Sequence, residues 1–304
     1  MMITVLKEEI ALIRNCESIL EIKKGYSNDQ KYLLNYANKK QRFILRTFQK
    51  EELAKKRAEF TILKGMEQLD VSCPRPLEIG ESNGIGYMIV TYLEGDDGEN
   101  SIFDCSEEEQ YHIGQEAGKE LLKIHQYLNP SSHSTSWFSR KSQKHQAYLE
   151  AYLTCGMKVK HEKKILEFIE EHIHLMKDRP TVLQHDDYHL SNIVLKNKQF
   201  AGILDFGRFD WGDPYHEFLK IGIFSSRLSI PFSIGQIEGY FKHKQPNEHF
   251  WKLYSLYLAM SVFSSIVWCL ENVPNEIDDM MEKITTFLED HDYFDEITPH
   301  WYQS

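Results

Sequence analysis

The sequence predicts an α+β fold, a small antiparallel-sheet half followed by a larger, mainly helical half. Three observations carry that expectation. Strand-like runs fill the first part of the chain, helical apolar spacing dominates after Gly95–Asn100, and formal charge divides along the same line. Residues 1–92 hold 15 Lys/Arg against 12 Asp/Glu, and the remainder hold 20 against 34. A chain of 304 residues can bury a sizeable core as two domains or one bilobal unit. A division into residues 1–94 and 95–304 follows.

In the first half, residues 3–14 alternate apolar and charged positions as a short helix would. Ser18–Ile22 reads as a strand, Gly25–Asp29 as a turn, and Lys31–Tyr36 as a second strand. Arg42–Phe48 alternates as a third. Glu51–Leu69 has helical spacing, with Leu53, Phe60, Leu63 and Met66 on one side. Gly86–Leu93 is a buried strand that ends at Glu94-Gly95-Asp96-Asp97. In the second half, residues 107–128, 142–155, 161–176, 248–271 and 276–290 carry helical spacing, and the polar stretch 129–136 separates the first two. Leu253–Leu270 has no charge and nearly the length needed to cross a bilayer. It contains Ser255, Ser261, Ser264 and Ser265 and stands alone, so a core helix is predicted and no membrane partner.

Composition excludes several classes. No clustered Lys/Arg stripe with interleaved aromatics occurs, which argues against nucleic acid. Cys16, Cys73, Cys105, Cys155 and Cys269 are widely spaced and odd in number, so neither a metal knuckle nor a disulfide framework is expected. Residues 1–15 include Glu8 and Glu9 and lack an apolar run, so no secretory signal is expected. A reducing cytoplasm is the expected home. A positive small half suits an anionic nucleotide and a negative large half a cationic acceptor, although acidity also serves solubility. The sequence leaves the oligomeric state open.

The chemistry concentrates between His185 and Gly207. An acid, Asp187, stands five residues before an amide, Asn192. A short hairpin then leads through Lys196-Asn197-Lys198 to a second acid in Asp205-Phe206-Gly207. Phosphoryl transfer from a nucleotide needs one carboxylate to orient and deprotonate the attacking hydroxyl. It also needs an amide oxygen and a second carboxylate to hold Mg²⁺ on the phosphates. The hairpin is expected to bring Asn192 and Asp205 to neighbouring strand ends. Asp and Asn are common at turns, so the signal lies in the combined spacing.

These residues, with Gly212-Asp213-Pro214, resemble the aminoglycoside and macrolide phosphotransferase family. Its members are kinase-fold antibiotic-modifying enzymes related to choline and homoserine kinases. The resemblance is sharpest over 183–218. It implies a protein-kinase-like bilobal fold, with Asp187 as catalytic base, Asn192 and Asp205 as Mg²⁺ ligands, Asp213 buttressing the loop, and His185 packed beneath it. The family usually has Gly where this chain has Asp186, so two adjacent acids compete for the base role. Only Asp187 stands five before Asn192. Like charges side by side raise one pKa, unless Asp186 faces outward.

Kinase-like folds place a cation on the third strand against the nucleotide phosphates, held by a helix carboxylate. Arg46 and Glu59 occupy those positions, and an arginine fork grips phosphate well. The resemblance implies that Ser27 and Asn28 lie over the phosphates. It also implies that Thr91, Tyr92 and Leu93 form the hinge that offers backbone groups to adenine. The cofactors expected are Mg²⁺ and ATP, or GTP in its place.

A protein acceptor is not expected. His189 stands where Ser/Thr protein kinases usually carry Lys, and the Arg208–Gly212 segment is too short for a peptide-docking activation loop. A small cationic hydroxyl compound such as an aminoglycoside fits the acidic half, with Glu271, Asp278, Asp279 and Glu282 as candidate amine-binding groups or as an ordinary solvated face. The same chemistry suits a macrolide, choline or homoserine kinase. Two other readings stand beside it. One is a non-catalytic nucleotide binder, from Asp186 and Arg46. The other is a transition-metal hydrolase built on His185, Asp186, Asp187 and His189.

Overall fold

The computed structural model describes residues 2–23, 29–37, 41–128 and 136–303. Two compact units emerge, residues 1–95 with 201–207, and residues 96–200 with 208–304. A single cut at residue 94 would miss the return of 201–207 to the first unit. That return has a local cause. Ile203 N donates to Ser72 O at 2.8 Å. Gly202 (φ +153°) sits so close to the same carbonyl that no side chain fits.

The first unit begins with α1 (Met2–Glu9) and α2 (Ala11–Arg14). Strands β1 (Ser18–Ile22), β2 (Gln30–Asn35) and β3 (Arg42–Gln49) follow, then α3 (Leu53–Gln68), β4 (Pro76–Ser82) and β5 (Ile85–Thr91). The five strands form one antiparallel sheet in the order β1-β2-β3-β5-β4. Leu6 and Ile13 from the two short helices, with Ile10 between them, cluster with Leu34, Leu45, Tyr87 and Ile89 from the sheet. Pro76 opens an edge strand, where its missing N–H costs no ladder bond.

Helix α3 departs from the expected face. Ile62, Leu63 and Met66 are buried, and so are Lys56 and Glu59, whereas Leu53 and Phe60 are only half-buried. The apolar positions alone could not show that one turn of the buried face is ionic.

In the second unit come β6 (Asp96–Asp97), α4 (Gly98–Ser101), α5 (Glu107–Ile124), α6 (Trp137–Thr154) and α7 (Glu162–His172). Strands β7 (Val182–Gln184), β8 (Ile193–Lys196), β9 (Gln199–Ile203, its last three residues in the first unit) and β10 (Asp210–Gly212) follow. The chain closes with α8 (Ser226–Leu228), α9 (Ile230–Tyr240), α10 (Glu248–Asn272), α11 (Ile277–Asp290) and α12 (His300–Gln303). A reciprocal capping box between Ser106 and Glu109 starts α5. Helix α6 starts five residues before the expected 142, because the Ser136 hydroxyl caps it by accepting from Ser139 N.

Helix α9 escaped the sequence reading. Pro231, Gly235 and Gly239 look like breakers, but the proline lies in the first turn, where it is tolerated. The glycines face α5, where Gly114 and Gly118 answer them and the two backbones touch. Helix α10 is long and apolar enough to cross a membrane, yet 78% of its most apolar stretch is buried inside the protein. It packs on α6, α7 and α11 as a core helix.

Candidate active site

Strand β7 leads into the loop of residues 185–192 and β8 leads out. His185 is fully buried beneath the loop. Its backbone N–H donates to Glu217 Oε2 at 2.8 Å, and its Nδ1 accepts from Asp187 N at 3.3 Å. Tyr188 anchors the loop from the other side by donating to Ala117 O at 2.7 Å. Asn192 Nδ2 donates to Asp187 O at 2.8 Å and to Asp187 Oδ2 at 3.3 Å. The loop thereby brings Asp187 and Asn192 together.

The Asp187 carboxylate sits among cations. Lys220 Nζ donates to Oδ1 at 3.0 Å, His189 Nε2 lies 3.4 Å from the same oxygen, and Arg208 Nε is 3.9 Å from Oδ2. Burial pushes this carboxyl up, but the Lys220 charge and the His189 hydrogen bond outweigh it and hold the pKa well below the usual range. Lys220 was invisible in the sequence. It belongs to no motif and reaches the site through the turn that precedes a π-helical stretch, Ile221–Ser225.

Asp186 behaves oppositely. Its backbone is left-handed, φ +62°, which Gly adopts freely and Asp tolerates. The family glycine and this aspartate therefore suit the same turn. Burial pushes its carboxyl up, with Lys220 offsetting part of the rise. The side chain is only partly exposed. It lines a cavity with Lys141 and His216. Two adjacent acids are thus pushed apart in pKa, one kept ionised and one made harder to ionise.

Asp213 braces the loop from below. It is fully buried and accepts from Arg179 Nε at 2.7 Å, Arg179 Nη2 at 2.9 Å, Tyr257 OH at 2.7 Å and Tyr215 N at 3.0 Å. Its carbonyl accepts from Gln184 Nε2 at 2.7 Å, which ties it to β7. The short segment after Arg208 is strapped down as β10, with Asp210 opposite Gln184 and Gly212 opposite Val182.

The first unit holds its own charge network. Arg46 on β3 is largely buried. Its Nε and Nη2 reach Asp29 Oδ2 at 2.9 and 2.6 Å, while Nη1 pairs with Glu59. Lys56 Nζ lies 2.6 Å from Asp29 Oδ2 and 3.8 Å from Glu59 Oε2. Burial pushes the Asp29 carboxyl up, but Arg46 and Lys56 together bring it below its ordinary value. Sequence reasoning found Arg46 and Glu59 and missed Asp29 and Lys56. The one available signal was that Lys56 stands three residues before Glu59 on the same helix face.

Asp205 belongs to the residues that return to this unit. It is exposed, has φ +62°, and its Oδ1 accepts from Gly207 N at 3.3 Å. A Cβ at Gly207 would stand 3.2 Å from Asp205 Oδ1 and 3.4 Å from Glu59 Oε2. Ser27 and Asn28 fall outside the described residues.

At the expected hinge, Thr91 N donates to Arg75 O at 2.9 Å and Tyr92 N to Arg42 O at 3.0 Å. Those two N–H groups belong to the sheet and are not open to a base. Of the four acids proposed for amines, Glu282 pairs with Arg227 at 2.7 Å and Asp279 with Lys283 at 2.5 Å. Glu271 and Asp278 are exposed. Among the described residues no three His, Cys, Asp or Glu side chains gather as a metal-ligating set. The buried His185 engages Glu217 and Asp187 instead, so the hydrolase reading has no geometric support.

An antiparallel-sheet unit joined to a helical unit that carries this loop is an α+β, protein-kinase-like architecture. The model of the phosphotransferase enzyme family matches residues 18–254, and the chain belongs to that family. It is a phosphotransferase. Its fold is similar to that of a thermostable mutant of aminoglycoside phosphotransferase APH(4)-Ia, with TM-score 0.68 and 15% identity over 94% of this chain and 98% of that one. The gentamicin complex of APH(2")-IIa aligns with TM-score 0.67 and 18% identity over 93% and 94% of the two chains. ADP-bound APH(2'')-Ib aligns with TM-score 0.62 and 17% identity over 92% and 95%. No curated protein sequence matches the chain.

Proposed function

We propose that this phosphotransferase moves the terminal phosphate of ATP, or of GTP, to a hydroxyl of a small molecule, with Asp187 as the group that receives the hydroxyl proton. The observation that carries the reading is the Asp187 carboxylate, kept ionised by Lys220 and His189 on a loop braced by Asp213. A carboxyl with so low a pKa is a weak base. Phosphoryl transfer passes through a loose transition state, so positioning the hydroxyl matters more than early proton removal. The acceptor oxygen forms its bond to the terminal phosphorus, the bond to the bridging oxygen breaks, the diphosphate leaves, and the proton passes to Asp187.

The metal-ligand roles fall to Asn192 and Asp205. The Asn192 amide nitrogen is committed to Asp187, which leaves its oxygen for a cation. Asp205 Oδ2 has no hydrogen bond among the described residues. Both are hard oxygen donors of the kind Mg²⁺ takes. Bound there, Mg²⁺ would neutralise charge on the transferring phosphate. In the first unit Arg46, oriented by Glu59 and Asp29, serves the nucleotide phosphates together with Lys56. Leu93 at the end of Thr91-Tyr92-Leu93 meets the base.

For the acceptor, an aminoglycoside-type compound is the first candidate. The support is that proteins of the same fold are described in complex with gentamicin and with hygromycin B. A second reading, an acceptor carrying an acidic group, is favoured by one observation. Asp279 and Glu282 already hold internal partners, while cations surround the cavity at Asp186. The test is a coupled ADP- or GDP-release screen with Mg-ATP and Mg-GTP over aminoglycosides, macrolides, choline and homoserine. Release that needs an acceptor and disappears in Asp187→Ala is expected; matching wild-type and mutant rates contradict the proposal.

A further inference from the structure

The cavity beside Asp186 lies outside the machinery assigned above, and its chemistry points to one kind of occupant. Its volume is about 210 Å³. A single water takes roughly 30 Å³, and pockets for drug-sized ligands run from roughly 300 Å³ upward. The space therefore suits a compact group or one end of a longer molecule, not a whole oligosaccharide.

One wall is a single face of α6. Trp137, Arg140, Lys141 and Lys144 stand at i, i+3, i+4 and i+7, so three cations are stacked beside an indole. Asp186, Asp210 and His216 complete the lining. Arg140 is spent, bonding Asp210 Oδ1 at 2.9 Å, Oδ2 at 3.2 Å and the Trp211 carbonyl. Lys144 has no partner among the described residues. Lys141 Nζ lies 2.7 Å from His216 Nε2.

While Lys141 is an ammonium it only donates, so His216 Nε2 accepts and the ring proton sits on Nδ1. His216 is buried, and its Nδ1 has no hydrogen-bond partner; the Asp186 carboxylate stops 3.7 Å short of it. Burial, followed by Lys141 and Lys144, holds the imidazole well below its ordinary pKa, so it stays a neutral N–H donor. Burial and Lys144 likewise pull Lys141 down to about 7. Positive charge is in excess here, and a buried N–H is left without an acceptor.

We propose that this cavity is an oxyanion site that takes a phosphate or carboxylate group through Lys141, Lys144 and the His216 Nδ1–H, with the Trp137 ring as its apolar wall. Lys220 links it to the loop, since its charge acts on Asp186 and His216 while its Nζ holds Asp187. The oxyanion belongs either to the acceptor or to a free phosphate. Assigning it to the acceptor rests on the kinase reading, and the binding itself does not.

The test is calorimetric titration of inorganic phosphate into the full chain saturated with Mg²⁺ and a non-hydrolysable ATP analogue, so that the nucleotide's own phosphate positions are filled. Wild type is expected to bind phosphate saturably at one site. Lys144→Ala and Lys141→Met should weaken binding at least about ten-fold, and Lys144→Arg should restore it to within about three-fold. Lys144 is exposed, so its loss does not threaten the fold. Absence of saturable binding in wild type, or wild-type affinity in both lysine variants, overturns the proposal.

Glycerol 3-phosphate, which carries hydroxyls beside its phosphate, separates the two sources. Lysine-dependent binding with ADP release from ATP assigns the oxyanion to the acceptor; the same binding without release assigns it to a free ion. Asp187→Ala should still bind phosphate, which separates failure of the kinase reading from failure of this site.

Discussion

The two units handle buried charge in contrasting ways. In the sheet unit two cations, Arg46 and Lys56, meet two acids, Asp29 and Glu59, and every member of the set is paired. In the helical unit the ionic cluster is left open. Three cations face two acids around the Asp186 cavity, while His216 Nδ1 and Glu217 Oε1 are buried without hydrogen bonds. A closed set keeps its geometry and resists change. An open one carries strain that an incoming group can relieve. The difference separates a sheet-unit site whose charges are already held in place from a helical-unit site whose groups still lack partners.

The sharpest way to break the contrast is Arg46→Ala. It leaves Asp29 and Glu59, both nearly fully buried, with Lys56 alone. Removing one partner from a buried pair costs about 3–5 kcal/mol, so urea unfolding should show a loss of that order, with a raised nucleotide KM in whatever protein remains folded. A loss below about 1 kcal/mol, the value typical of exposed pairs, would mean that the network is not closed.

Next in size is Tyr257→Phe, which deletes one of the four hydrogen bonds on the Asp213 carboxylate. A hydrogen bond to a charged group contributes roughly 1.5–3 kcal/mol. Unfolding at neutral pH should register a loss near the lower bound, because Arg179 remains.

Lys220→Met tests the open side by pH. The Asp187 pKa is depressed, so the stabilisation from its ion pair is present above the unfolded value and lost as pH falls through the folded one. Without Lys220, its charge and its hydrogen bond no longer hold the carboxyl down and the pKa rises. The acid limb of the kcat/KM profile should therefore move to higher pH, with a rate loss of roughly ten-fold or more at neutral pH. An acid limb that stays in place would show that Lys220 does not set this carboxylate.

The smallest expected effect is Asp186→Gly. Leaving the left-handed region to glycine recovers roughly 1–2 kcal/mol of backbone strain and loses roughly 0.5–1 kcal/mol in chain entropy. A thermal melt should show a slight stabilisation; a clear destabilisation would mean that the Asp186 carboxylate is worth more to the folded cluster than its strained backbone costs.

Much of this was legible in advance because its signals are local. Strand alternation over residues 18–48, the helical spacing over 107–128 and the loop from His185 to Asn192 each declare themselves within a few residues. The unread parts depend on distant partners. Helix α9 was hidden because Gly235 and Gly239 are breakers until Gly114 and Gly118 on α5 give them a surface to meet. Lys220, Lys141 and His216 carry no spacing signal, since they converge on the loop from α6 and from the turns after β10. Lys56 sat on a helix face read as apolar, and only Asp29 and Glu59 make its burial tolerable.

The central claim is that Asp187, not its neighbour Asp186, receives the acceptor proton. The direct measurement is single-turnover ADP formation with Mg-ATP and a responsive acceptor in wild type, Asp187→Ala and Asp186→Ala. A general base contributes roughly 10²- to 10⁴-fold. The account predicts a loss of that size for Asp187→Ala and a markedly smaller one for Asp186→Ala. Near-wild-type ADP formation by Asp187→Ala, or the larger loss falling on Asp186→Ala, would contradict it.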